Sequence, residues 1–381
     1  MSFHHAENFT MRNGSKRKRK HHYIPCYYLK HFATPCSRRG KIYVVDLKSA
    51  VIRPSIVEQV GFENNYFSLE GNCASDALEE LLAGREGELS DAWQRMVDNK
   101  TFPTDPTDRN WIVNVIVMIS ARNPARRSTI EKMFTDLYRA AMDLTASDPD
   151  LFESKLRESM EGDDVALGEL DHTDVEALRQ SYLSGEFRIT AEIPNNFYIT
   201  ETAEISLTLH KNFHARHWSL LDFSSTNIKI ISSDDPVCCF MLQSNNETII
   251  AGFGMLKSLV IVPVNSSLVL VGAFRKEEFE IEQSESNARL FNRIIIEQAY
   301  RFLYCETGVL EWKSYEGNSV GTDLLIRSIS FLSSPATDGE ILDQPASSTS
   351  LGKEVLIDIY YRDEEKIERF QNTVRLMEQR S

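Results

Sequence analysis

Residues 111–120 constrain the fold most. Trp111, Val115, Met118 and Ile119 recur at helical spacing, and apolar residues fill nearly every position between them. A helix that is apolar all round has to be covered all round, so the rest of the chain is expected to pack about it. Thr107 and Asp108 can cap its start. Pro124 should kink or end it, because proline lacks an amide donor and its ring crowds the preceding turn. The segment is about half a membrane span in length, and no run reaches the roughly 18 apolar residues a span needs, so no membrane association is expected.

Around this helix the pattern changes character twice. Further helices are expected over 23–32, 75–97 and 196–216, with Gly84 and Gly87 weakening the second. A hairpin is expected over 41–46 and 50–52. After Arg216 the periodicity turns to that of strands, over 218–223, 227–231, 259–263 and 267–271, followed by a helix over 285–298 and a closing strand over 300–305. These elements predict an α+β fold in which a helical bundle packs on a mixed or antiparallel β-sheet. The main domain is placed at 21–310, with a polar helical insertion near 142–185 broken at Ser147-Asp148-Pro149 and Gly162-Asp163-Asp164. Residues 1–20 form a basic arm. Residues 311–381 read as a linker and a C-terminal strand/helix tail suited to homo-oligomer formation.

The net charge of −14 is unevenly spread. Arg12 and the run Lys16, Arg17, Lys18, Arg19, Lys20 face only Glu7 within the first 22 residues, so the remainder of the chain is still more acidic than the total. An acidic body repels polyanions, and nucleic acid as a partner is therefore expected only through the basic arm, whose plain alternative is a solvated, mobile segment. Six cysteines without CxxC spacing, and no apolar signal core, lead to the expectation of a cytoplasmic protein with reduced thiols.

Directly behind the basic run comes His21-His22-Tyr23-Ile24-Pro25, with Tyr28-Leu29 and Phe32-Ala33 following. This opening resembles the signature of a bacterial family catalogued as domain of unknown function 4238. Four later stretches are similar to that family in the same order. They are Arg85-Glu86-Gly87 within 81–93, the Arg-x-Pro of Arg122-Asn123-Pro124, the Ser-Asp-x-Pro of Ser233-Asp234-Asp235-Pro236, and the Asn-containing helix and strand of 292–304. The resemblance covers about 18–306 and implies no activity.

The chemistry is therefore read from side chains. Neighbouring histidines on an extended backbone point to opposite sides, so one of His21 and His22 is expected to serve a site. A neutral imidazole near Glu86 and Asp234 would suit a divalent metal (Mg, Mn or Zn) held by His22, Glu86 and Asp234, or would act as general base. Arg122 suits a phosphate, since its planar fork binds oxyanions bidentately. The expected catalytic set is His21, His22, Glu86, Arg122 and Asp234, with Lys18, Arg19, Lys20, Asn123, Arg126 and Asp235 contacting substrate. This predicts a metal-assisted nuclease or phosphodiesterase of the bacterial toxin or phage-defence kind. The alternative is a non-catalytic binding or regulatory protein that recognises a small anionic ligand or a partner protein, with each of these residues in a structural role. His210, His214 and His217 form a competing metal candidate by spacing, weakened because His217 falls where a strand should begin. P-loop, HExxH and GxSxG motifs are absent.

Overall fold

The computed structural model describes residues 20–64, 66, 84–159, 172–186, 190–191, 193–242, 248–276, 281–313 and 319–333. Alternation along the strands decides how the layers stack. In β9 (Leu259–Pro263) and β10 (Leu268–Ala273) every residue is buried. Val260, Val262, Leu268 and Leu270 point into one apolar cluster, and Leu259, Ile261, Val269 and Val271 into another. A strand with both faces covered needs a layer on each side. These strands lie in a five-stranded antiparallel sheet of order β5-β10-β9-β7-β8, where β5 is His217–Asp222, β7 Cys238–Leu242 and β8 Thr248–Ile250.

The first cluster joins this sheet to the helices. It contains Tyr28 and Leu29 of α1 (Cys26–Leu29), Trp93 and Met96 of α2 (Glu86–Asn99), most of α3 (Pro106–Ala121), and Leu209 and Phe213 of α7 (Asn195–His214). The helix expected to be buried is α3: Ile112, Val113, Val115 and Ile116 are fully withdrawn from water. Its cap is Asp105, which accepts from the Asp108 amide at 3.0 Å, not the Thr107-Asp108 pair of the sequence reading. On the other face lie α8 (Glu285–Gln298) and a second antiparallel sheet of order β3-β2-β11-β6, built from β2 (Lys41–Asp46), β3 (Val51–Ile56), β6 (Ser232–Ser233) and β11 (Phe302–Cys305). The fold class is thus helices packed against antiparallel sheets, as expected.

Pro124 ends one helix and opens another. Arg122 closes α3, Asn123 turns the backbone to extended angles and accepts the Ala125 amide at 2.8 Å, and Pro124 begins α4 (Pro124–Ser147). No helix is expected from the sequence over the first half of α4, and the structure shows one there. Beyond it, α5 (Pro149–Ser159) and α6 (His172–Leu183) pack on its end around Ala146, Phe152 and Val175.

Two expectations are corrected. Residues 227–231 are not a strand: the Ile230 amide donates to the Ser266 carbonyl and the Ile231 amide to Asn292 Oδ1, so this backbone is held by a loop and a side chain instead of a ladder. The described part of the expected tail belongs to the fold. Strands β12 (Glu311–Lys313) and β13 (Ser319–Gly321) and helix α9 (Thr322–Ser333) bring Trp312, Leu325 and Ile329 into the second core, and Asn292 donates to the Glu311 carbonyl at 2.8 Å. The remainder of the tail, like most of the basic arm, lies outside the described residues. No helix among the described residues is long and apolar enough to cross a membrane.

Candidate functional site

The two histidines part company on a short ribbon. Strand β1 (Lys20–His22) pairs antiparallel with β4 (Phe62–Asn64), with His21 opposite Glu63 and His22 opposite Phe62. Directly opposed residues share a face, so alternation puts His21 with Glu63 on one side and Lys20, His22 and Phe62 on the other. The His22 and Phe62 ring centroids are 5.5 Å apart, and Lys20 Nζ lies 4.5 Å from the Phe62 centroid. Gly61 makes the ribbon possible. Its φ of +67° is one that side chains rarely adopt, a Cβ there would meet Leu29 at 3.0 Å, and its carbonyl accepts the amides of Tyr23 and Ile24.

On its own side, His22 belongs with Arg38 and Glu58. Burial and the Arg38 charge push its pKa down, against a hydrogen bond to the Glu58 backbone, and Nε2 has no hydrogen-bond partner among the described residues. Glu86, the first residue of α2, acts on Cys26 and, together with Arg122, on the buried Tyr27 hydroxyl. Burial raises the Cys26 thiol, which makes it a poor nucleophile at neutral pH.

Asp234 sits elsewhere, behind β6. Its Oδ1 accepts the Tyr300 amide at 2.8 Å, and its Oδ2 accepts those of Arg301 at 2.8 Å and Phe302 at 3.0 Å. Burial pushes this carboxyl up to about 7, against the pull of the three amides. Asp234 thereby joins the end of α8 to the start of β11. Among the described residues, no group of three or more His, Cys, Asp or Glu side chains is arranged to hold a metal, so His22, Glu86 and Asp234 do not assemble as the expected set. His210 Nε2 instead meets Asn110 Oδ1 at 3.2 Å, and His217 begins β5 beyond the end of α7.

What the fold does bring together lies on the His21 and Glu63 side of the ribbon. The Tyr23 ring is 6.1 Å from that of Tyr66, its hydroxyl is 3.5 Å from that of Tyr304, and it senses the Asp234 charge. The Tyr66 hydroxyl donates to the Arg122 carbonyl at 3.3 Å. Beside this group opens a small cleft lined by Tyr66, Asn123, Arg126, Arg127, Tyr198 and Glu201 among others. Arg127 lies over the Tyr198 ring at 4.1 Å and the Tyr66 ring at 5.2 Å, and its Nη2 donates to Asn195. Tyr198 donates to Glu131 at 2.7 Å, and Glu131 lies 3.6 Å from Arg127. Burial raises the Glu63 carboxyl, with Arg127 opposing. Arg126 is the least satisfied of these groups. Burial lowers its pKa, Asp235 and Glu201 offset this only through space, and its Nε has no acceptor among the described residues.

Residues 20–308 match the family model described as Protein of unknown function (DUF4238). The chain belongs to this family. No curated protein and no solved structure gives a significant match. The stretches that carry the DUF4238 resemblance now have places. Tyr23 of the opening motif, Arg122 and Asn123 of Arg-x-Pro, Asp234 and Asp235 of Ser-Asp-x-Pro, and Tyr304 of the closing strand all contribute to the neighbourhood of the cleft. Of the expected site residues, Asn123 and Arg126 line it, Asp235 acts on Arg126, and His21 shares the ribbon face of Glu63. His22 and Lys20 face away, Glu86 stands by Cys26 and Tyr27, and Lys18 and Arg19 lie outside the described residues. Glu63, Arg127, Glu131, Tyr198 and Glu201 were missed. Arg127 and Glu131 stand at i,i+4 spacing, a signal that becomes legible once α4 is recognised as a helix from Pro124.

Proposed function

We propose that this member of DUF4238 binds a small anionic ligand in the Arg126–Tyr198 cleft. The observation that carries this reading is Arg126: a half-buried guanidinium lining a cleft, with a buried Nε that lacks an acceptor among the described residues. A buried donor left without an acceptor costs about 1–3 kcal/mol, and an oxyanion supplies what is missing. The ligand is small and not a polyanion, because Glu63, Glu131, Glu201 and Asp235 surround the two arginines and keep the local charge near balance.

The test is thermal unfolding of the full chain with inorganic phosphate and with citrate. The wild type is expected to melt higher as either anion is added, since a ligand at about 100 times its Kd stabilises by roughly 2.7 kcal/mol, and Arg126→Gln is expected to lose the response. Equal responses in both proteins, or none in either, would overturn the reading.

A second reading, phosphodiester hydrolysis, draws support from Glu63, whose raised carboxyl stands within electrostatic reach of Arg127. It predicts release of p-nitrophenol from a bis-aryl phosphate, assayed with and without added Mg, Mn or Zn and lost in Glu63→Gln. Wild type without turnover in every arm rejects it.

A further inference from the structure

The cleft that holds Arg126 also holds an acid of its own. Glu201, half-buried on the second turn of α7, lines it together with Arg126 from the first turn of α4. The Glu201 carboxylate acts on Arg126 through space, yet among the described residues neither side chain forms an ion pair or a hydrogen bond, with the other or with a third group. The charges next to them are engaged. Arg127 donates to Asn195 and lies against Glu131 and two tyrosine rings, and Glu131 also accepts the Tyr198 hydroxyl. Asp235 adds a second negative charge to the field at Arg126.

Two opposite charges that line one small cleft and stop short of each other leave a gap with a donor at one end and an acceptor at the other. Asn123 sharpens the polarity. It is buried and lines the same cleft, and because its Oδ1 is taken by the Ala125 amide, what it has left to offer is an NH₂ donor. Donors thus gather at the start of α4, and the carboxylate comes from α7. A bare anion would meet Arg126 but would also cover Glu201, which loses water and gains like charge in exchange. An ammonium on the same molecule gives Glu201 a charged donor in place of that water.

We infer that the ligand of this cleft is a compact oxyanion that carries an ammonium group, with Arg126 and Asn123 on the oxyanion and Glu201 on the ammonium; this rests on the anion-binding reading above. α-Amino acids and aminoalkyl phosphonates or phosphates share that chemistry.

Thermal unfolding of the full chain, followed against ligand up to about 10 mM at constant ionic strength, compares two matched pairs. They are glycine with acetate, and aminomethylphosphonate with methylphosphonate, and within each pair the members differ by one ammonium group. In wild type, the ammonium-bearing member of at least one pair is expected to act at about tenfold lower concentration than its mate. The pair that shows the preference tells carboxylate from phosphonate. Glu201→Gln is expected to erase the preference while inorganic phosphate still raises its melting temperature at least as effectively as in wild type. Arg126→Gln is expected to lose the response to every ligand. A preference that survives in Glu201→Gln overturns the inference, and so does a Glu201→Gln protein that no longer responds to phosphate, since Glu201 would then only support the site. Wild type that favours neither ammonium-bearing ligand also overturns it, and leaves the anion reading standing where phosphate or citrate still acts through Arg126. Wild type indifferent to all of these ligands removes both.

Discussion

Arg216 is buried and Arg126 half-buried, and the two guanidiniums stand in opposite kinds of surroundings. Arg216 donates from Nη1 to the carbonyls of Ser258 and Gly272 at 2.7 and 3.1 Å, and from Nη2 to the Phe253 carbonyl and Ser258 Oγ at 2.7 Å each, beneath the Phe274 ring. These backbone acceptors, Gly272 in β10 and Phe253 and Ser258 in the loop before β9, are fixed by the fold and cannot be exchanged for a ligand. Arg126 faces carboxylates through space and an open cleft. The first arginine holds the protein together, and the second has donor capacity left for something else. Asp234, with its three amide donors, is the anionic counterpart of Arg216.

The largest effect is expected where the charge is closed in. Arg216→Met should destabilise by about 3–5 kcal/mol, read from urea unfolding, because it leaves several buried carbonyls without donors. A loss under about 1 kcal/mol would erase the distinction. Asp234→Asn should cost about 1–3 kcal/mol, since an amide NH₂ turned toward backbone N–H groups replaces an acceptor. Its pH dependence carries a definite sign. The folded carboxyl is raised to about 7 from an ordinary 3.8, so the native state holds the proton longer than the unfolded chain. Its contribution is full below about pH 4 and lost as the pH rises through 7, and Asp234→Asn should flatten the stability profile across that window. The smallest loss belongs to Arg126→Gln, expected to leave the protein without added anion as stable as wild type or up to about 1–3 kcal/mol more stable, because a buried donor without an acceptor is removed and no strong hydrogen bond is lost. A loss comparable to that of Arg216→Met would make Arg126 a structural residue too.

How much of this could be read from the chain follows from the range of the interactions. Helix α8 was legible because Ala288, Phe291, Ile294 and Ile295 repeat at a helical period within 14 residues and Ser284 caps them. The parting of His21 and His22 was also legible, since alternation along an extended backbone is a local rule. Strand β1 was not: three residues, Lys20-His21-His22, are too few and too polar to display a period, and their partner lies some forty residues away. The cleft was hidden for the same reason. Tyr23 reaches Tyr304, and Arg127 reaches Tyr198, only after the sheets and α7 have set the register. Shared motif order along a chain does not by itself give a shared location. Glu86 and Asp234 each found closer business, one near Tyr27 and the other with the amides of 300–302.

Strands β9 and β10 were introduced for the alternation that sends successive side chains into two different clusters. That arrangement makes them a party wall. Neither cluster can come apart while the other stays sealed, because each shares the same backbone ladder, so the two cores must open as one cooperative unit. The small group of Ala146, Phe152 and Val175 has no share in that wall. The far end of α4, with α5 and α6, is free to loosen while its first turns, which line the cleft beside Ala121 of α3, keep their place.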